Sequence, residues 1–488
     1  MKKNNHFLHF LAAHAKNYGF VFPSSEIYGG LNAVYDYGPY GIELKNNIKK
    51  YWWKSMTQLH ENIVGLDSSV LMHSDIWRAS GHIEKFNELL IDNKDSKKRY
   101  SPEVLIREKI NLMQKEQKTS QVIRNRKNEK ILSRLDKSIK KKDLLDIRVL
   151  IDELNISDPI CGSNNWTDIR SFNMMFKIKE EKGDLFLRPE TAQGIFSNFF
   201  SVKKSSRKKI PFGIAQIGKS FRNEIMARQF LFRMREFEQM EMQFFILPEE
   251  EMKWYEYWKK IRLKWHLELN LGDKKYQLRN HDHLAHYASA GTDIEFNFPF
   301  GFKEIEGIHS RRDFDLKRHE FFSKKKLRVF GDNPENYIPY VIETSLGLDR
   351  FFLAIYSSSL KKEKLDNGME RIVLKIPPFL SPVKAAIFPL VLKDGLPEIA
   401  KKIFQDLKID YRLVYDQKES IGKLYRRQDA IGTPICFTID YETIDNDTVT
   451  MRYRDSMLQK RVPIKEISKI IEKETGMRKI LINLSQFI

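Results

Sequence analysis

Five residues in the segment FRNEIMARQFLFRMREFEQME (221–241) have types and spacings suited to chemistry on a nucleotide. Arg222 and Glu224 stand two apart, and Arg233, Phe237 and Glu241 follow at four-residue intervals. A guanidinium grips a phosphate through a planar fork of donors. A phenyl ring offers a flat face to a base, and a carboxylate accepts from an exocyclic amine or an ammonium. A surface ribbon laced by cross-strand ion pairs would use the same residue types, and spacing alone leaves that alternative open.

The element that must position them reads as a hairpin. FRMREFEQMEMQFF alternates, so Arg233, Arg235, Phe237, Gln239, Glu241 and Gln243 fall on one face of a strand and Met234, Met240, Met242 and Phe244 on the other, with Glu236 and Glu238 between them. Arg222 and Glu224 share a face upstream, and IMARQFLF can return the chain antiparallel. Elsewhere, Glu304 and Glu306 share one face of FKEIEGI, a pattern of oxygen ligands that suits Mg2+. An ion pair is the alternative for Glu306. Arg350 follows the strand PYVIE near the start of a helix opened by Gly347, where the helix N-terminus favours anions. NHDHLAHYASAG brings His281, His283 and His286 close in sequence. Zinc is conceivable there, but a structural role is the expectation. Cys161 stands alone in PICGSNNWTDIRSFNMMF, so no zinc site of about four ligands is predicted around it.

The rest of the chain bounds these motifs. Its 488 residues leave room for two or three domains, and 41% hydrophobic with 12% aromatic residues fits a globular protein. A formal net charge of +19 points to a polyanionic partner, since neutralising phosphates releases condensed counterions. Two cysteines far apart make no disulfide framework and fit a reducing compartment. The opening residues lack a signal-peptide pattern and no run of eighteen apolar residues exists, so the expectation is a cytoplasmic protein without a membrane partner. Residues 1–92 and 156–372 are aromatic-rich and of mixed period. A charged stretch, 93–155, carries Leu and Ile at helical spacing and reads as a helical insertion whose charges form a solvated face. Beyond the boundary KIPPFLSP, residues 378–488 alternate short apolar runs (AAIFPLV, YRLVYD, ICFTID) with helical stretches such as LPEIAKKIFQDLK, which suggests a small α/β domain.

Taken together, FRNE, REFEQME and LRPETAQGIFSNFF (187–200) resemble the glycyl-tRNA synthetases of the homodimeric type. YDYGPYGIELKNNIKKYWW (35–53), EIEGIHSRRDFDLKRH (304–319) and IPYVIETSLGLDRFF (338–352) are similar to further stretches of that family, as are IGKLYRRQDAIGTPICFTIDYET and TVTMRYRDSMLQKRV in the C-terminal part. The likeness spans nearly the whole chain except the insertion. It implies an α+β class II catalytic domain, a mostly antiparallel sheet flanked by helices, with a C-terminal mixed α/β anticodon-binding domain. It implies ATP, Mg2+, glycine and tRNA(Gly) as reactants and partners, and a homodimer built through the 35–53 element, where Trp52 and Trp53 read as exposed anchors, with core packing within one subunit as the alternative.

By that resemblance Arg222 and Arg350 are the catalytic arginines. The ATP contacts are Arg222, Asn223, Glu224, Phe232, Arg233, Met234, Arg235, Glu236, Phe237, Glu304, Ile305, Gly347, Leu348, Asp349 and Arg350, with Glu304 also a Mg2+ ligand. Within that set Glu224 meets the adenine amino group, Phe237 stacks on the ring, Arg350 lies across it, and Arg233 reaches the distal phosphates. The glycine contacts are Arg99, Glu190, Phe237, Glu238, Gln239, Met240, Glu241, Glu343, Thr344, Ser345, Leu346 and Gly347. A non-catalytic paralogue on the same fold would typically lack Arg222, Arg233 and Arg350, all of which are present.

Overall fold

A computed structural model describes residues 2–115, 121–181, 183–224, 229–282, 284–285, 287–330, 336–365 and 368–488. His283 and His286 lie outside the described residues, as do residues 225–228 of the expected hairpin. Among the described residues no helix is long and apolar enough to cross a membrane. The chain divides into two units, Met1–Val70 with Glu190–Ser220 and Gln229–Ile488, and Leu71–Pro189 with Phe221–Arg228.

The first unit is organised by a seven-stranded sheet. In chain order its strands are β1 (Ile63–Gly65), β2 (Phe212–Phe221), β3 (Glu236–Ile246), β4 (Tyr276–Asn280), β5 (Ala290–Phe298), β6 (Gly301–Arg312) and β7 (Tyr340–Gly347), and across the sheet they run β4-β5-β6-β7-β3-β2-β1. The β3–β7, β7–β6, β6–β5 and β5–β4 pairings are antiparallel, and β1 joins β2 in parallel. Alternation sorts the side chains. Met240, Met242, Phe244, Ile294, Ile308, Ile342 and Leu346 enter one core with Trp258 and Trp265 of a helix over Glu251–Leu267. On the opposite face Phe245, Phe212 and Val341 meet Phe196 and Phe199 of the helix Ala192–Ser206.

Two helices hold the centre of the sheet. Pro39 opens the helix Pro39–Thr57 at its first turn, where a missing N–H costs nothing. Leu44, Ile48 and Trp52 stack at four-residue steps with Tyr51 beside them, all fully buried. Trp52 is therefore core rather than an exposed anchor, and Trp53 is half-buried against Gly65. The helix Leu348–Ser359 follows β7 directly, with Gly347 as its N-cap, and sends Phe351, Phe352 and Ile355 into the same core.

The C-terminal residues form a second sheet of five strands in the order Leu413–Tyr415, Ala385–Pro389, Ile435–Ile439, Thr448–Tyr453, Gln459–Pro463, with the first three parallel. Helices Leu396–Leu407 and Ile467–Thr475 close its core around Phe437 and Ile471.

The second unit carries two three-stranded sheets and the helices Pro102–Lys115, Gln121–Lys141 and Leu144–Glu153. Ile106, Leu135, Ile147 and Ile151 form its core. Its charges pair locally, Arg134 with Asp146 and Glu153, and Arg107 with Glu103 and Asp136.

Candidate active site

Two transverse rows on one face of the seven-stranded sheet set out the densest cluster of carboxylates. Gln243 of β3 lies opposite Glu343 of β7, which lies opposite His309 of β6. Two residues along, Glu241 lies opposite Ser345, which lies opposite Gly307. Strand alternation puts all of these on one side. Gln243 is fully buried, and its Nε2 donates to Glu241 Oε1 and to Glu343 Oε2, both at 2.7 Å. Thr191, just before the helix Ala192–Ser206, donates to the second oxygen of Glu241. Glu190 accepts from Gln193 Nε2 at 2.9 Å.

One guanidinium answers these carboxylates. Arg311 Nη1 donates to Glu343 at 3.0 Å, and its Nε and Nη2 grip Asp315 in a fork at 2.7 and 2.9 Å. Its plane lies 3.9 Å from the Tyr287 ring. Burial pushes the Glu343 carboxyl up, but Arg311 and His309 outweigh it and bring it down to about 2. Among the described residues Glu241 has no such cation. Burial, then the charges of Glu343 and Glu190, hold its carboxyl well above the ordinary range. Arg311 thus joins Glu343 to Asp315, while Glu241 is crowded by the like charges of Glu343 and Glu190, a site that favours added positive charge. A small ammonium would complete it.

Around the start of the helix after β7 the side chains are of another kind. Arg350 Nε donates to Phe232 O at 3.2 Å, its guanidinium covers the Phe232 ring at 4.5 Å, and its Nη1 pairs with Glu304 at 3.0 Å. Phe237 is half-buried beside the same core and Arg233 is exposed. Lys45 joins Glu238 (2.6 Å) to Asp349 (3.1 Å), Lys49 adds a second bond to Glu238 at 2.6 Å, and Tyr37 donates to Asp349. The Glu238 and Asp349 carboxylates are therefore engaged within the chain. Gln239 joins Ser220 and Ser345, and Glu236 pairs with Lys219. Met234, Met240, Ile305, Thr344, Leu346 and Leu348 are buried, so they offer a ligand chiefly their backbone.

Three local expectations are corrected. The strand begins at Glu236, so Arg233, Met234 and Arg235 precede it: a short 3-10 turn over Phe230–Phe232 leads in, and the Arg235 N–H donates to Ala33 O instead of a ladder partner. Arg222 and Glu224 lie past the end of β2 rather than on it, and the Glu224 N–H turns back to Arg222 O. Glu304 and Glu306 do not share a face. The register against β5 shifts between Ile294 and Glu295, which leaves Ile305 as a bulge. Glu304 is consequently exposed while Glu306 points into the core, where Arg262 (2.6 and 3.2 Å) and His266 (2.7 Å) hold it. The ion-pair alternative for Glu306 is the observed one.

Arg222, Asn223, Glu224 and Arg99 belong to the second unit. There Arg222 Nε donates to Pro189 O at 3.1 Å with its guanidinium 5.4 Å from the Phe86 ring, and the Asn223 N–H donates to Met174 O. Arg99 pairs with Asp92 at 2.9 Å. Within the first unit the structure brings together Glu190, Glu241, Glu343 and Ser345, and separately Phe232, Glu304 and Arg350. It adds residues that sequence reading did not select: Gln243, Thr191, Arg311, Asp315, Tyr287 and His309. Only HSRRDFD, a doubled arginine followed four residues later by an aspartate, carried a signal, as an i to i+4 pair.

The chain matches three family models: "Glycyl-tRNA synthetase insertion domain 1" over residues 88–174, "tRNA synthetase class II core domain (G, H, P, S and T)" over 175–359, and "Anticodon binding domain" over 384–474. It is 48% identical over 475 residues to the glycine–tRNA ligase of Borrelia hermsii, covering 94% of this chain and 96% of that protein. The glycine–tRNA ligase of Chlorobaculum tepidum is 46% identical over 94% of this chain and 98% of its own, and that of Staphylococcus haemolyticus 46% over 95% and 97%. A solved structure described as the RNA binding domain of threonyl-tRNA synthetase from Cryptosporidium parvum Iowa II superposes with a TM-score of 0.63 at 14% identity, over 95% of this chain and 98% of that one, a likeness of fold.

Proposed function

This chain belongs to the glycyl-tRNA synthetase family, and we propose that it activates glycine with ATP and transfers the glycyl group to the 3′ end of tRNA(Gly). The observation that carries the glycine assignment is the charge deficit at Glu241, beside the already paired Glu343. A buried carboxylate without a cation is costly, and the ammonium of an amino acid supplies one. The pocket can select glycine by that ammonium, by its carboxylate and by lack of room for a side chain.

In the first step the glycine carboxylate attacks the α-phosphorus of ATP and pyrophosphate leaves. Two anions must approach, so positioning and charge neutralisation dominate the protein's task. Arg222 neutralises the α-phosphate and the incoming carboxylate, Arg233 the distal phosphates. Phe237 and Arg350 hold the adenine between them, and Glu224 accepts from its amino group. Glu190, Glu241, Glu343 and Ser345 hold glycine, with Gln243 and Arg311 fixing the carboxylates. Mg2+ accompanying the nucleotide would offset phosphate charge. Glu304, an exposed carboxylate, fits an ion held mostly by phosphates and water.

The C-terminal sheet domain reads the anticodon, where unpaired bases can be splayed against a protein surface. The protein works in the cytoplasm as a homodimer. Ile27 and Tyr28, 88% and 87% exposed on a short turn upstream of the strand Tyr35–Tyr37, are apolar side chains that a second copy would cover.

Glycine-dependent exchange of labelled pyrophosphate into ATP tests this function. Exchange with glycine and none with alanine or serine is expected. Exchange with alanine or serine but not glycine overturns the assignment.

A further inference from the structure

Beside the acidic pocket, on the same face of the sheet, a second group of side chains meets at His309, and two of its members, His281 and Asp293, are given no role by the ligase reaction. His281 directly follows β4, Asp293 lies on β5 and His309 on β6. The His281 N–H donates to Gly291 O, Gly291 lies opposite His309, and Asp293 lies opposite Gly307. Three adjacent strands thus deliver two imidazoles and a carboxylate to one spot. One nitrogen from each ring and one carboxylate oxygen all lie within 4.8 Å of one another. His281 Nε2 meets Asp293 Oδ1 at 2.8 Å, and the two rings stand edge to face at 5.2 Å.

The backbone around this spot is cut away. A Cβ on Gly291 would lie 2.9 Å from both His281 Nδ1 and His309 Cδ2, and one on Gly307 would lie 2.9 Å from His309 Cε1 and 3.7 Å from Asp293 Oδ1. Any larger residue at either position would push the imidazoles out of place. His309 also reaches the acidic pocket: its Nδ1, buried and without a hydrogen-bond partner among the described residues, lies 3.3 Å from Glu343 Oε1. A carboxylate close to a ring nitrogen of a histidine is the means by which proteins orient metal-ligating imidazoles.

We propose that His281, Asp293 and His309 form a Zn2+ site, with water completing the coordination and with Glu343 as the outer carboxylate on His309. Two imidazoles and a carboxylate suit Zn2+, whose bonds to nitrogen and oxygen are about 2.0–2.2 Å. Donors about 3.4 Å apart satisfy such a tetrahedral centre, which small rotations of these three side chains reach. The ion would lock the His309 ring against Glu343, making His309 a positioning residue for the acidic pocket. Among the described residues, strand pairing recruits Asp293 and His309 to His281 from 12 and 28 residues further along the chain.

The test uses the full chain stripped of metal with chelator and titrated with Co2+ as a spectroscopic stand-in, followed by displacement with Zn2+. One equivalent of Co2+ per chain should develop visible d–d absorption without the intense sulfur charge-transfer band, and Zn2+ should abolish it. His281→Ala and His309→Ala should lose that absorption, and Asp293→Asn, which replaces a direct ligand, should weaken binding by at least the about 10–100-fold that loss of an outer partner costs. Thermal melting of each variant verifies that it is folded. Should the variants not fold, X-ray absorption of the zinc-loaded wild-type chain decides alone: a first shell of nitrogen and oxygen with imidazole scattering is expected. Absence of Co2+ absorption at one equivalent, retention of the absorption in both folded alanine variants, or sulfur in the first shell would overturn the site. None of these readouts involves glycine, ATP or tRNA, so they are independent of the proposed ligase activity.

Discussion

Two buried carboxylate clusters occupy opposite faces of the same sheet. On the helix-covered face Glu306 is fully enclosed and has its partners inside the chain: Arg262 in a fork, itself stacked 4.4 Å from the Trp265 ring, and His266 on the second oxygen. Burial pushes the Glu306 carboxyl up, yet Arg262 and His266 bring it below its ordinary value. On the other face Glu241 and Glu343 share the amide of Gln243, and of these two Arg311 bonds only Glu343. The carboxyl that is left, Glu241, is driven upward. Equal burial therefore does not mean equal purpose. A buried charge closed by its own chain holds the fold together; one left open marks where a ligand's charge goes.

The largest effect should come from breaking the closed cluster. Arg262→Ala strands Glu306 in the core, and removal of one member of a buried pair costs about 3–5 kcal/mol. Urea unfolding should show this loss, and activity per folded molecule should be little changed. The open cluster should behave the opposite way. Glu241→Gln keeps the shape and removes the like-charge crowding, so unfolding should move by about 1 kcal/mol at most, well short of the Arg262→Ala loss. The KM for glycine should rise about 10–100-fold, the loss of one hydrogen bond to a charged group at about 1.5–3 kcal/mol, while the KM for ATP holds. If Glu241→Gln unfolds the protein as Arg262→Ala does, the contrast between the clusters is lost.

The direction of the Glu241 shift adds a pH test. A carboxyl whose folded pKa is raised contributes stability below its ordinary range and loses that contribution as pH rises through the folded value. The ligand-free chain is thus penalised at neutral pH for ionising Glu241, and glycine's ammonium relieves the penalty by favouring the ionised form. Glycine binding near pH 7 should release up to about one proton, read by calorimetry in buffers of different ionisation enthalpy. The stabilisation by glycine should grow as pH rises. A release of zero would mean that the pocket already holds its charge some other way.

Sequence reading went far on what repeats locally and less far on what depends on pairing. The helix opened by Gly347 with Arg350 in its first turn, the strand carrying Glu241 and the helix started by Pro39 follow from period and punctuation. The bulge at Ile305 does not. It depends on the register β6 takes against β5, and without it Glu304 and Glu306 read as a pair. Trp52 takes the core alternative, which sequence could not separate from an interface anchor because an aromatic pair at the end of an amphipathic helix looks the same whether a partner subunit or its own core covers it. Gln243 and Arg311 were not selected because a buried glutamine and one of two adjacent arginines have no local mark. Their role comes from lying beside Glu343 across β3, β7 and β6.

Glu238 tests where the boundary between the two kinds of cluster falls. Resemblance places it among the glycine contacts, but its oxygens bond Lys45 and Lys49 and its N–H bonds Asp349. By the criterion above it is a closed site. Lys49 is 25% exposed, so water can replace it, whereas Lys45, at 8%, also links Glu238 to Asp349. Lys49→Ala should therefore cost under about 1 kcal/mol in unfolding and leave the KM for glycine unchanged, the smallest of these effects. Thermal melting and steady-state kinetics on the same preparation measure both. A rise in the KM for glycine with no change in melting would move Glu238 out of the closed class and into the acidic pocket. Burial and internal partners would then not suffice to tell a structural carboxylate from a ligand-facing one.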